Sequence, residues 1–188
     1  LRSKPRTVSV LALCLCASFV ALPMWSAEEQ AQDLSERDYN LAIHQLRSGP
    51  PSPETRDLVV NLVALHPNTA RIRILSTELQ FAESLRLRGQ DEEYTAIVVE
   101  GAALRTLSEI TALEGIAPRT RMSAYRLAGW IYTTQRDWEH AESSFRNARQ
   151  FDGEDPDLAA AHAQALVGYA ETSLSAEERE DLVLRARR

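Results

Sequence analysis

The chain has 188 residues, which is enough for one domain or one short helical array, and its 44% apolar residues can supply a core. Its formal net charge of −6 disfavours binding to nucleic acid or anionic lipid, because both carry negative charge. Both cysteines, Cys14 and Cys16, lie in the first apolar run, so the remainder of the sequence can hold neither a disulfide framework nor a thiolate zinc site.

The first 27 residues have the features of a secretory signal peptide. Three basic residues precede an uncharged run that begins at Val8, and the small residues Ser26 and Ala27 follow this run. The pattern predicts residues 1–27 as a signal peptide cleaved after Ala27, and residues 28–188 as a helical domain. The alternative is an uncleaved inner-membrane anchor, which would be the only membrane contact. Either way, we expect a periplasmic or otherwise exported domain.

The next part of the chain predicts four helices that alternate with short breaks. Apolar residues recur at helical spacing, and a Pro or Gly stands at or beside each break. Ser52 followed by Pro53 is typical of a helix start, with Ser as the cap and Pro at the first helical position. The predicted helices cover about residues 28–48, 53–66, 68–88 and 91–113.

The third and fourth of these helices make different predictions about packing. The third is apolar on two faces, one containing Ile72 and the other Ile74, so we expect it to lie between neighbours. In the fourth helix, we expect five residues to point inward: Tyr94, Ile97, Val98, Ala102 and Leu104.

The last part of the chain predicts four more helices, at about 118–134, 137–150, 157–172 and 175–187. A turn that ends at Pro156 separates the second of them from the third, and a capping box of Ser175 and Glu178 begins the last. No segment shows sustained period-two alternation, so we predict no strands. The pattern as a whole predicts an all-α fold built from antiparallel helical hairpins.

One hairpin resembles a tetratricopeptide repeat, within residues 122–155. The resemblance rests on small residues and aromatic residues that alternate at that family's spacing: Gly129, Tyr132, Ala141, Phe145 and Ala148. A weaker match is Ala96-Ile97 followed by Ala103-Leu104. The resemblance implies a short right-handed α-solenoid of stacked antiparallel hairpins that binds a protein or peptide partner.

The resemblance also implies a binding surface on the first helix of this repeat. In the family's register Trp130 faces the groove, and Arg126 and Thr133 lie on the same side of the helix. An exposed Trp beside an Arg is typical of a binding hot spot. The alternative is that Trp130 packs against the neighbouring hairpin. Trp130 also replaces the Asn with which some family members clamp a terminal carboxylate, which argues against that binding mode.

No residue pattern indicates catalysis, a metal site or a cofactor. The four histidines lack a second His or Cys at metal-ligand spacing, and we interpret His140 with Glu142 as a surface pair. Neither a phosphate-binding glycine loop nor a nucleophile elbow occurs. We therefore predict a non-catalytic exported scaffold or adaptor that binds protein segments, of unknown oligomeric state. The alternatives are a structural subunit of an envelope secretion, pilus or polysaccharide-export assembly, and a cell-wall or polysaccharide hydrolase with helical support.

Overall fold

A computed structural model describes residues 36–173 of the chain. The expected signal segment, residues 1–27, and the expected last helix, residues 175–187, lie outside the described residues. Within residues 36–173 the fold is all-α and contains no strand. Its seven helices are α1 (36–48), α2 (Pro53–Leu65), α3 (Ala70–Arg88), α4 (Glu93–Ala112), α5 (Pro118–Gln135), α6 (Trp138–Arg149) and α7 (Pro156–Ser173). Not one of them combines the length and the hydropathy needed to span a bilayer.

Helices α2 and α6 begin at polar caps, of which the sequence predicts the one at Ser52. The Ser52 hydroxyl accepts a hydrogen bond from the amide of Thr55 at 3.2 Å, and Pro53 is the first residue of α2. Asp137 caps α6 in the same way, by accepting from the amide of His140 at 3.3 Å. Each cap satisfies a backbone donor that has no acceptor within its own helix.

The buried side chains form three clusters, and each cluster joins three consecutive helices. The first cluster surrounds Leu75 and joins α1, α2 and α3, whereas the second surrounds Leu107 and joins α3, α4 and α5. The third surrounds Phe145 and joins α5, α6 and α7. Helices α3 and α5 each belong to two clusters, which explains the two apolar faces of α3.

The prediction for the inward face of α4 is wrong for three of its five residues, whereas Leu104 packs against the second cluster as expected. Tyr94, Ile97 and Val98 are exposed, and Tyr94 is 82% exposed. The inner face instead contains Ala96 and Glu100, both fully buried. A small residue allows close packing against neighbouring helices, and a charged residue with buried partners takes a core position. The apolar residues near the start of α4 are therefore exposed, whereas Ala103, Leu107 and Ile110 further along the helix face the core.

The tightest approach between α5 and α6 is at Gly129. A Cβ atom built on this glycine would lie 2.6 Å from a ring carbon of Phe145, well inside van der Waals contact. Phe145 and Ala141 are both fully buried on α6. Helices α5 and α6 thus cross closely at Gly129, and the Phe145 ring fills the space that a side chain at 129 would need. Gly168 of α7 has the same relation to the ring of Trp138, which the sequence did not predict.

Candidate functional site

The odd-numbered helices together line a groove that consists of two adjoining cavities. The larger has a volume of about 760 Å³ and is lined by α1, α3, α5 and α7. The smaller has a volume of about 680 Å³ and is lined by α1, α3 and the amino-terminal half of α5. Arg47, Glu78 and Arg126 line both cavities and form their common wall.

The larger cavity, called here the apolar cavity, has mostly apolar walls. Leu46, Leu85 and Trp130 are among its lining residues, and the exposed fractions of Leu85 and Trp130 are 46% and 39%. Large apolar side chains with this much exposure cost free energy in water, because their surface is not removed from solvent. A ligand with an apolar group would gain by covering them.

The smaller cavity, called here the basic cavity, has four arginines and two glutamates in its lining. One arginine is already neutralised: Arg71 donates to both carboxylate oxygens of Glu36 at 2.9 Å, and its guanidinium carbon lies 3.8 Å from the Tyr39 ring centroid. Arg47 pairs with Glu78 at 3.6 Å. This cavity is net positive although the chain as a whole is acidic.

Two arginines of the basic cavity have no carboxylate partner within the described part of the chain. Arg119 and Arg126 both lie on α5, and neither has an acidic oxygen within 4.0 Å among the ion pairs of residues 36–173. Guanidinium groups bind carboxylates through two parallel hydrogen bonds. The pair is therefore available to an anionic group that enters the groove.

Glu78 is the carboxylate between the two cavities, and its side chain is only 14% exposed. Burial raises the pKa of the Glu78 carboxyl, and the nearby positive charges of Arg47 and Arg126 oppose that rise without cancelling it. One carboxylate oxygen, Oε2, is buried and accepts no hydrogen bond. The common wall thus contains an incompletely satisfied acid between two bases.

The structure brings together two of the three residues predicted for partner binding. Arg126 and Trp130 both line the apolar cavity. The Trp130 ring also meets Phe145 edge to face at 5.4 Å, so it packs on the neighbouring helix of its own hairpin while remaining partly exposed. Thr133 lines neither cavity, and its hydroxyl donates to the carbonyl of Gly129 at 2.8 Å.

A second polar cluster lies inside the molecule and surrounds Glu100. Arg88 donates to its two carboxylate oxygens at 3.0 and 2.8 Å, and Gln135 donates to Oε2 at 2.9 Å. Burial by itself would raise the pKa of Glu100, but hydrogen bonds from Arg88, Gln135 and Ser84 outweigh it and lower the pKa. Both oxygens of Glu100 are bonded and its side chain is fully buried, so this carboxylate joins α3, α4 and α5 and is not itself accessible to a ligand.

The histidines pair differently from the sequence-based interpretation. His140 does not pair with Glu142; its Nδ1 lies 2.9 Å from Asp137, and its ring stacks on Tyr132 at 5.1 Å. Glu142 lies 3.2 Å from Nε2 of the buried His162 instead. Residues three apart share a helix face, which explains the first pair, whereas the second joins two helices. Within residues 36–173, no three potential metal-ligating side chains cluster.

Three residues of the groove were not predicted from the sequence: Arg47, Glu78 and Arg119. They come from three different helices, so no local pattern links them. One signal was available, because Arg119, Arg126 and Trp130 fall at intervals of seven and four residues on α5. That spacing places them along one helix face.

Comparisons with known proteins add no information on the function of this groove. No protein-family model matches the chain, and neither the curated proteins nor the solved structures contain a significant match.

Proposed function

We propose that this chain is an exported, non-catalytic adaptor that binds a segment of another protein in its groove. In this proposal the helices form a short right-handed α-solenoid that resembles tetratricopeptide repeats. The odd-numbered helices form the inner face, and the even-numbered helices form the outer face. The signal-like amino terminus supports export to the periplasm or cell envelope.

The observation that carries the proposal is the composition of the groove. Side chains from four helices line it, and these four are alternate helices in the sequence. A groove of this kind crosses several helices, so its length suits an extended or helical segment better than a compact small molecule. Exposed Trp130 lies next to Arg126, which has no carboxylate partner among the described residues, and an aromatic residue beside an arginine is the combination that dominates many protein interfaces.

A repeated packing pattern supports the solenoid part of the proposal. Each even-numbered helix buries residues at positions i, i+4 and i+7: Thr55, Val59 and Leu62; Ala96, Glu100 and Ala103; Ala141, Phe145 and Ala148. Stacked hairpins use the same face of each second helix to contact the hairpin on either side. The recurrence of one spacing in α2, α4 and α6 favours three related hairpins followed by α7.

Site-specific photocrosslinking in the native cells tests this function. A benzoylphenylalanine at position 164 would replace Gln164, an exposed residue of the apolar cavity. The control position is Arg105, which is exposed on α4 and lines neither cavity. We expect a covalent adduct with one protein from position 164, no adduct from position 105, and loss of the adduct when Trp130→Ala is added. Equal adducts from both positions would overturn the proposal.

A further inference from the structure

The groove has two chemically different halves, and α5 provides a measure of the distance between them. Arg119, Arg126 and Trp130 lie along one face of this helix. At 1.5 Å per residue, Trp130 lies about 6 Å from Arg126 and about 16 Å from Arg119 along the helix axis. An extended peptide advances about 3.3 Å per residue, so these separations correspond to about two and five residues.

The charges of the groove define the partner more closely. Arg71 and Arg47 already have carboxylate partners in Glu36 and Glu78, whereas Arg119 and Arg126 have none among residues 36–173. Cationic side chains held on a net positive surface attract an anionic group, and the acidic remainder of the chain repels the same group. The unpaired arginines therefore favour a partner that brings its own carboxylates to the basic cavity.

From these observations we infer that the groove binds an acidic segment of a protein. An apolar side chain of this segment covers Trp130 in the apolar cavity, and carboxylates about two and about five residues away along the extended segment bind Arg126 and Arg119. Asp or Glu side chains supply the carboxylates. The inference rests on the proposed function and adds the chemistry of the bound segment.

The binding experiment uses nine-residue peptides labelled with fluorescein, whose anisotropy reports binding to the purified protein. The probe contains one aspartate five residues and a second aspartate two residues before the leucine of a leucine-phenylalanine pair, and a second probe has the reverse order. In the matched peptide, both aspartates are replaced by asparagine. We expect the asparagine peptide to bind about tenfold more weakly than the aspartate peptide. The reason is that a neutral amide makes weaker hydrogen bonds to arginine than a charged carboxylate does.

Protein variants identify which side chains are responsible. The double variant Arg119→Gln, Arg126→Gln should bind the aspartate peptide about tenfold more weakly and bind the asparagine peptide as the wild type does. The arginines and the aspartates form the same ion pairs, so once one side has been removed, removing the other has no further effect. Trp130→Ala should weaken both peptides by about thirtyfold, the effect of an aromatic hot spot. The controls are Arg105→Gln, an exposed arginine of α4, and Phe151→Ala, which is 38% exposed and lines neither cavity. Thermal melting confirms that each variant is folded.

The possible outcomes separate this inference from the proposed function. If the arginine double variant weakens both peptides equally, or if the asparagine peptide binds as well as its parent, the acidic segment is excluded. A thymidine oligonucleotide that displaces the aspartate probe with equal affinity would also overturn the inference, because the basic cavity would then be a general anion site. If no peptide binds but crosslinking from position 164 persists, the inference fails and the adaptor function stands. If crosslinking is lost as well, both fail.

Discussion

Glu100 takes the place in its hairpin that Phe145 takes in the next. Each is the fully buried middle member of its i, i+4, i+7 set, and each lies 16 residues after a small residue on the preceding helix. For Phe145 that residue is Gly129, which contacts the ring; for Glu100 it is the buried Ser84, whose hydroxyl donates to the carbonyl of Phe81 and helps to lower the pKa of Glu100. A polar pair therefore substitutes for an aromatic contact in otherwise similar hairpins.

The substitution Glu100→Gln should destabilise the protein strongly. A Gln amide keeps the shape but presents an NH₂ group to donors on Arg88 and Gln135, so the buried ion pair is broken. We expect the free energy of unfolding to fall by about 3 kcal/mol at neutral pH. This value is at the low end of the range for breaking a buried ion pair, because Arg88 is partly exposed. Denaturant unfolding with intrinsic fluorescence measures it.

The control for this prediction has the same chemistry and the same arginine. Glu93 also pairs with Arg88, at 3.2 Å, but its side chain is 73% exposed, so Glu93→Gln should cost less than about 1 kcal/mol. The lowered pKa of Glu100 means that its stabilisation is present above the ordinary carboxyl pKa and is lost as pH falls through the folded-state pKa. The difference between wild type and Glu100→Gln should shrink over the same acidic range. Equal losses from both variants at neutral pH would contradict the burial argument.

At the scale of the helix, the packing of α5 on α6 depends on the absence of a side chain. The Phe145 ring lies where the Cβ of residue 129 would be, and Ala141 keeps the crossing close on the opposite helix. Such a contact is stiff, because the ring is fully buried and its neighbours leave it no alternative position. Any side chain at 129 must move either the ring or the helix.

The substitutions Gly129→Ala and Gly129→Leu should both destabilise the fold. We expect a cost of about 1–3 kcal/mol for leucine, typical of overpacking, with a smaller loss for alanine. Gly101 on α4 is the matched control, since a Cβ there meets no atom within 4 Å. Gly101→Ala should instead stabilise the helix by about 0.5–1 kcal/mol, because glycine has low helix propensity. Melting temperatures of the three variants test this, and a Gly129→Leu protein with wild-type melting would show that the crossing is not tight.

The helices and their ends could be predicted because their signals are local. Ser52 and Pro53 begin α2 where the sequence places the start, and helices α2 to α7 begin and end within two residues of their predicted ranges. The facing of α4 could not be predicted from apolar periodicity. Its core face contains Ala96 and Glu100, whose burial depends on Arg88 and Gln135 from other helices. A periodicity count assigns an unpaired glutamate to the surface, and it has no means of finding the partners.

Across the whole molecule, three clusters share helices α3 and α5, so the apolar core is continuous from α1 to α7. The groove follows from the same arrangement, because α1, α3, α5 and α7 each contribute one further face to it. The position of Arg126 and Trp130 in this groove was expected from the family resemblance. Arg47, Glu78 and Arg119 were not, since only the assembly of α1, α3 and α5 brings their charges together.

The buried carboxylate of Glu78 should make stability and groove charge depend on pH in the direction opposite to Glu100. Its raised pKa means that folding disfavours the ionised form, mainly through burial. The penalty is present above the folded-state pKa and disappears as pH falls below the ordinary carboxyl range. Glu78→Gln should therefore be more stable than wild type at neutral pH, by less than about 1 kcal/mol, the scale of one partly compensated charge.

Melting curves of wild type and Glu78→Gln between neutral and acidic pH test this prediction, with Glu114→Gln, an exposed loop residue, as the control. The gain from Glu78→Gln should vanish toward acid, where wild-type Glu78 is protonated and already resembles the amide. Removing this negative charge should also strengthen binding of the aspartate peptide at neutral pH, because Glu78 interacts electrostatically with Arg126 and competes with the peptide's carboxylates for it. If Glu78→Gln is instead less stable at neutral pH, the attraction of Arg47 and Arg126 outweighs the cost of burying the carboxylate. Glu78 then stabilises the packing of α3 against α1 and α5.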